Sequence, residues 1–190
     1  MNGYDFDNTL YRGESPFDFF FFCLKKKKRL VIYLPGILFF FIQYKRVKLP
    51  VENLIESVEK IANKIFFDKQ LLKKYVEEFW KLNSYKLKQD LIQNIKEEDV
   101  IITASPRFLI EGIMDKLNTS NLICTEYNID YGKIEFVCYG ENKVHKFKEI
   151  YPDIELESFY TDSFNDLAMM NFAKIVYLVK GEKILEYKKD

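Results

Sequence analysis

The period of the apolar positions changes along the chain, and each change predicts a different kind of element. Residues 1–6 form a short apolar-leaning run that predicts a strand, ending in the acidic cluster Asp5-Phe6-Asp7. From residue 13 to about 94 the period is helical. Leu54, Val58, Ile61, Ala62 and Ile65 recur at i, i+3, i+4 spacing, and Leu71, Leu72, Tyr75, Val76 and Phe79 repeat the pattern. One proline, Pro50, falls between Pro35 and Pro106, and it reads as a helix start. Beyond that the pattern alternates. Residues 99–103 predict a strand, 106–117 a helix opened by Pro106, and 122–125 a strand. Residues 128–130 and 133–137 flank Tyr131-Gly132 as a hairpin. Residues 143–150 predict a helix, 158–161 a strand, 166–172 a helix, 174–179 an apolar strand, and 183–187 a short last strand. Strands alternating with helices predict βαβ units and a parallel sheet. The pattern is that of an α/β domain interrupted after its first strand by an all-helical insert.

Composition bounds what such a domain does. A chain of 190 residues fits one domain, or a core with a modest insertion, and can bury a real core. Lys plus Arg number 29 and Asp plus Glu number 29, and a formal charge of zero argues against a dedicated nucleic-acid binder. Cys23, Cys124 and Cys138 form neither a disulfide framework nor a CxxC metal motif, so the reducing cytoplasm is the expected home. His145 is the one histidine, which leaves little scope for a multi-His metal site or a Ser-His-Asp triad.

The zero is unevenly distributed. Residues 19–51 carry no acidic residue but hold Lys25, Lys26, Lys27, Lys28, Arg29, Lys45, Arg46 and Lys48, a local charge of +8. Nine of the 18 phenylalanines lie in the first 50 residues. Residues 30–44 are 15 uncharged positions broken by Pro35-Gly36, short of the about 20 a membrane span needs. Asp5 and Asp7 sit where a signal peptide has its basic start, so none is expected. Two readings of this segment stay open. It is either two short buried helices joined by a solvated turn at residues 25–29, or a face that rests on anionic lipid or admits a lipid-like substrate.

In open parallel sheets, functional groups gather at the carboxyl ends of strands. The first strand delivers Asp5, Asp7 and Thr9, the second Thr103 and Ser105, and residues 158–161 deliver Asp162 with Asp166 a helical turn later. Lys143 opens a helix after Gly140-Glu141-Asn142. Several carboxylates in one cleft repel one another, and a hard divalent cation resolves this; Mg2+ binds through a few carboxylates plus water and substrate phosphate. A lysine and a hydroxyl suit phosphoryl oxygens, one carboxylate can attack phosphorus, and a second can move the proton. The constellation reads as a Mg2+-dependent phosphatase.

The same residues carry a resemblance. Asp5-Phe6-Asp7-Asn8-Thr9 is similar to the D-x-D-x-T signature of the haloacid dehalogenase (HAD) superfamily. Thr103, Lys143 and Asp162-Ser163-Phe164-Asn165-Asp166 resemble its second, third and fourth motifs, in order. The resemblance implies a Rossmann-like parallel-sheet core formed by residues 1–12 and 87–190, with an inserted helical cap at 13–86, and a phosphoserine-phosphatase-like subfamily. It implies Asp5 as nucleophile, Asp7 as general acid and base, Thr103 holding the phosphoryl group and Lys143 neutralising it. Mg2+ would be held by Asp5, the backbone carbonyl of Asp7, and Asp162, with Asp166 in support. Glu14 stands where phosphoserine phosphatases place a carboxylate for the substrate amine.

Thr103-Ala104-Ser105 replaces the Ser-Gly-Gly of those enzymes, and the aromatic, basic cap is closer to a branch that includes phosphatidylglycerophosphate phosphatases. The expected substrate is therefore a phosphorylated small molecule or a lipid-like phosphate, with peripheral membrane contact through the cap. An idle module binding a phosphoryl ligand, a partner or a membrane is the alternative. Within the second motif Thr103 ends the apolar run, while Ser105-Pro106 also reads as an N-cap and first turn; both are candidates for substrate contact. Cys23 and Arg29 satisfy a C-x5-R spacing, but lysines fill the gap where a phosphate-cradling loop needs glycines, so the match is coincidental. His145 is expected at the surface.

Overall fold

The computed structural model describes residues 1–33, 35, 36, 39, 59, 63 and 68–188. The helical repeat at Leu54, Val58, Ile61, Ala62 and Ile65, the helix start at Pro50, and the charges Lys45, Arg46 and Lys48 lie outside the described residues. Among the described residues, strands β1 (Asn2–Tyr4), β2 (Val100–Pro106), β3 (Asn121–Asn128), β4 (Lys133–Phe136), β5 (Ser158–Thr161), β6 (Ile175–Lys180) and β7 (Lys183–Tyr187) form one sheet in the order β4-β3-β2-β1-β5-β6-β7. β1 lies in the middle, parallel to β2 (Tyr4 opposite Ile101) and to β5 (Gly3 opposite Phe159). β3 and β6 continue the parallel set, whereas β4 and β7 return antiparallel at the two edges. This is the Rossmann-like α/β sheet that the alternating pattern predicts.

Period-two alternation assigns residues to two layers. Ile101 enters a cluster with Tyr4, Phe6 and Leu10, while Val100 and Ile102 enter a second with Phe159, Val176 and Phe147. α1 (Ser15–Lys26) and α2 (Lys69–Asn83) bring aromatics to the first cluster: Phe19, Phe79 and Trp80 are buried beside Phe6 and Tyr11. Trp80 meets Phe6 and Tyr11 edge-on and donates its indole N–H to the Leu109 carbonyl at 2.8 Å. Each buried ring contributes about 1.5–3 kcal/mol of apolar transfer. α1 starts with proline in its first turn and Asp18 beside it, and ends on Lys25 and Lys26, charges that suit the two ends of a helix. α2 is capped by the Asp68 carboxylate, which accepts from the Gln70 and Leu71 amides. The short α3 (Gln89–Ile92) follows it.

The strands expected at 122–125 and 128–130 are one, β3, with residues 129–132 as the turn to β4, and three boundaries nearer the cleft also differ from the sequence pattern. The first strand stops at Tyr4, and Asp5 leaves the sheet with only its amide tied to the Tyr160 carbonyl. Pro106 is extended and ends β2, so the helix begins at Arg107 as α4 (Arg107–Ile110) and tightens into a 3-10 turn over Glu111–Lys116. There Gly112 faces α2 so closely that an added Cβ would lie 2.5 Å from Val76 and 2.9 Å from Trp80. The third is the helix after β5, which opens as a 3-10 turn (Phe164–Asp166) before α6 (Leu167–Phe172). α5 (Glu141–Ile150) packs against α6. β7 is exposed along most of its length, while β4 gives its Ile134 N–H to Glu59 at 2.8 Å.

Gly112→Ala is expected to cost about 1–3 kcal/mol through overpacking. The check is urea unfolding: the midpoint falls with an unchanged slope. An unaltered midpoint would mean that α2 yields without strain.

Candidate active site

Asp5, Asp7, Thr103, Asp162 and Asp166 converge at the carboxyl ends of the three adjacent central strands, β2, β1 and β5, because parallel strands end on the same side of a sheet. Lys143 joins them from the first turn of α5. The preceding Gly140 sits at a φ of +55°, which L side chains rarely adopt, so a glycine makes the turn that aims this helix start at the sheet. The result is an open cleft of about 260 Å³ lined by acidic and amide side chains, with Lys143 in its wall.

Lys143 is buried, and its ammonium lies 3.2 Å from Asp5 Oδ1 and 2.5 Å from Asp166 Oδ1. Burial opposes the charge on Lys143, but Asp166 and Asp5 outweigh it and hold the ammonium protonated well above its usual range. Asp166 Oδ2 accepts from the Thr161 hydroxyl at 2.9 Å, so both of its oxygens are engaged. Burial pushes Asp5 up, and Asp166, Asp162 and Asp7 add to this against the pull of Lys143. The hydroxyl of Thr9 stands 3.5 Å from the second Asp5 oxygen.

Asp7 is held from two sides. Its Oδ1 accepts the Ser15 amide at 2.6 Å and its Oδ2 accepts the Ser105 hydroxyl. Burial still raises its carboxyl to about 6. Asp162 is half-buried and also raised to about 6, by burial and then by Asp166. Thr103 lines the cleft and accepts the Ser105 amide on its Oγ1 at 3.1 Å. Ser105 is buried behind Asp7 and is not among the residues lining the cleft; its hydroxyl is directed at a carboxylate rather than capping α4. Glu14 does line the cleft, and it accepts a hydrogen bond from the Asn8 side-chain amide at 2.9 Å.

His145 is exposed on α5. Cys23 is buried, and burial pushes its thiol up to about 12, far from a reactive thiolate. Three contributors escaped the sequence reading. Ser15 acts through its backbone amide, which leaves no trace in residue type. Thr161 locks Asp166, and the signal for it was a hydroxyl immediately before the strand-end acid. Asn8 turns the loop at a φ of 57°, and asparagine is enriched in that left-handed region.

The donor set suits a hard cation. Four aspartates share the cleft with one lysine, and every donor is an oxygen. Among the described residues no three acidic, histidine or cysteine side chains close into a complete cage. Mg2+ needs none: it keeps water and is commonly held by one or two carboxylates plus substrate phosphate.

A central parallel sheet with a D-x-D-x-T loop, a buried lysine and a second acidic loop at its carboxyl end defines a class of hydrolase folds. Residues 3–171 match the haloacid dehalogenase-like hydrolase family, and the chain belongs to it. Solved structures share the fold. A Bordetella pertussis Tohama I protein of unknown function aligns with a TM-score of 0.73 at 20% identity, over 93% of this chain and 87% of that one. A phosphoserine phosphohydrolase-like protein from Francisella tularensis subsp. tularensis SCHU S4 aligns with a TM-score of 0.65 at 21% identity, over 93% and 86%. A phospho-aspartyl intermediate analogue of phosphoserine phosphatase aligns with a TM-score of 0.57 at 18% identity, over 92% and 83%. No curated protein sequence matches the chain.

Asp7 and Asp162 carry folded values of about 6 against an ordinary 3.8, so between those values the folded state holds more protons than the unfolded one. Their stabilising contribution is complete below about pH 4 and is lost as pH rises through about 6. In chelator, the drop in Tm between pH 5 and pH 7.5 is expected to shrink in Asp162→Asn. Differential scanning calorimetry checks this, and an unchanged drop counts against the assignment.

Proposed function

We propose that this chain is a Mg2+-dependent phosphomonoester hydrolase that works through an aspartyl-phosphate on Asp5. One observation carries the reading: a buried carboxylate at the end of the central strand lies 3.2 Å from a buried ammonium, with a second carboxylate two residues on, held by the Ser15 amide and the Ser105 hydroxyl. Thr103 and Lys143 line the wall where phosphoryl oxygens would rest, as a hydroxyl donor and a cation. An Asp5 oxygen forms a bond to phosphorus while the ester P–O bond breaks, and the leaving oxygen takes the proton of Asp7. Water then attacks the same phosphorus and gives its proton to Asp7. The bond from phosphorus to Asp5 breaks, and inorganic phosphate leaves. Asp5, the backbone carbonyl of Asp7, and Asp162 would hold Mg2+, which when bound would supply positive charge against the phosphoryl oxygens. Asp166, with both oxygens engaged by Lys143 and Thr161, supports that set by fixing the lysine.

The substrate we infer is a small or lipid-like phosphate, met in the reducing cytoplasm to which three free buried cysteines are suited. A specific observation favours the lipid-like end of that range. Lys25 to Lys28 are exposed, and beside them in sequence Val31, Ile32 and Phe39 stand 54%, 75% and 57% exposed. Basic side chains next to exposed apolar ones suit an anionic bilayer surface. No helix among the described residues is long and apolar enough to cross a membrane. The similarity to a phosphoserine phosphohydrolase-like protein supports a small polar phosphate instead, and Glu14 is the cleft residue suited to a substrate amine.

On p-nitrophenyl phosphate, Asp5→Asn and excess chelator are each expected to abolish turnover. Lys143→Met should lower kcat by about 10²–10³-fold, the loss typical of one preorganised charge partner. Metal-independent turnover, or an active Asp5→Asn, overturns the mechanism; absence of turnover on a broad panel with phosphate binding retained supports an idle binding module. A second assay pairs phosphoserine with phosphatidylglycerophosphate in vesicles. Faster hydrolysis of the lipid phosphate, reduced by Ile32→Glu, is the expected result.

A further inference from the structure

Outside the residues assigned to chemistry, two charged side chains among the described residues are buried, Asp99 and Lys88, and Lys88 is the one tied to the loop of Asp5 and Asp7. It is 4% exposed and lies just past the returning end of the helical segment. Its ammonium donates to the Asn8 carbonyl at 2.6 Å and to the Gly181 carbonyl at 2.8 Å, and its own amide donates to the Leu10 carbonyl at 2.8 Å. Asn8 is the residue between Asp7 and Thr9, turned at a φ of 57°, and Gly181 lies in the turn between β6 and β7. Beside it, Arg12 forms a fork with Glu182 at 2.8 and 3.1 Å and donates to the Leu87 carbonyl. Three segments distant in sequence therefore meet at one buried cation, and one of them is the loop that carries Asp5 and Asp7.

A buried ammonium is costly unless its protons are satisfied, and two of the three on Lys88 go to carbonyl oxygens of two loops. A surface lysine needs no such arrangement. The left-handed turn at Asn8 is held by its own amide, which donates to the Gly13 carbonyl at 2.9 Å, and by its side-chain amide on Glu14, which leaves its carbonyl as the remaining group to be tied. Lys88 supplies that tie. The peptide units on either side carry Asp7, whose carboxyl is aimed at Ser15 and Ser105, and Thr9, whose hydroxyl faces Asp5. Rotation at Asn8 would turn both away together.

We propose that Lys88 is a positioning residue. Through the Asn8 carbonyl it fixes the turn that sets Asp7, and it couples the β6–β7 turn to the same loop. Its catalytic consequence rests on the phosphatase reading; its structural consequence does not. Two measurements on the full chain separate them. The first is amide hydrogen exchange of residues 8–11 in wild type, Lys88→Met and Lys88→Gln. Protection there is expected to fall at least about 10-fold in Lys88→Met and less in Lys88→Gln, which keeps an uncharged N–H donor group, while α5 is unchanged. The second is steady-state hydrolysis of p-nitrophenyl phosphate with Mg2+. Lys88→Met is expected to lower kcat by about 100-fold, the loss expected from misplacement of a catalytic group by roughly 1 Å, with KM within about 3-fold. In an Asp7→Asn background the same change is expected to cost no more than about 3-fold further, because the group it positions is already gone.

Unchanged exchange at residues 8–11 overturns the clamp. A full, independent loss of kcat in the Asp7→Asn background overturns its action through Asp7. If Lys88→Met does not fold, Lys88→Gln carries both measurements. If the wild type hydrolyses nothing, the phosphatase reading fails alone and exchange still decides the clamp.

Discussion

The structure is organised around a buried ammonium between two buried carboxylates. Taking Lys143, Asp5 and Asp166 out of water costs several kcal/mol per ion before any attraction is recovered, and a fold tolerates this only where the geometry is fixed from several sides. Here the sides are distinct elements. β1 brings Asp5, a glycine-led helix start brings Lys143, and the loop after β5 brings Asp166 with Thr161 holding its far oxygen. The middle position of β1 in the sheet, between β2 and β5, is the constraint that lets all of these reach one point.

The same constraint separates the roles of the aspartates. Asp166 has both oxygens engaged and serves to hold the lysine. Asp7 is gripped by two donors yet keeps its proton up to about 6, because burial outweighs the hydrogen bonds. Asp162 is raised by burial and by the charges of Asp166 and Asp7, against a weaker pull from Lys143. Carboxylates of one residue type thus differ in partners and in proton affinity through environment alone.

Much of this was legible in the sequence because strand ends and motif order are local features. β5 and β7 lie where the pattern put them, and the hairpin at Tyr131-Gly132 is formed. What stayed hidden is what only folding brings together. Ser105 looked like a substrate contact or a cap and is turned onto Asp7, because the strand runs on through Pro106 and carries its hydroxyl behind the loop. Lys88 is one lysine among many in the sequence; carbonyls from residues 8 and 181 distinguish it. The helix after β2 tightened early, where a glycine meets Trp80 on a helix some 30 positions upstream in sequence. Periodicity cannot register such an encounter.

The two borders of the sheet are not equivalent. Along β4, Glu59 takes a strand amide and Asn63 donates to the neighbouring turn, whereas β7 is exposed with Ile184 and Leu185 about half accessible. Unsatisfied strand borders invite further strands, and a molecule open on both sides could extend without limit. With Glu59 and Asn63 already bonded along β4, a further strand would find its place at β7 rather than at the opposite border.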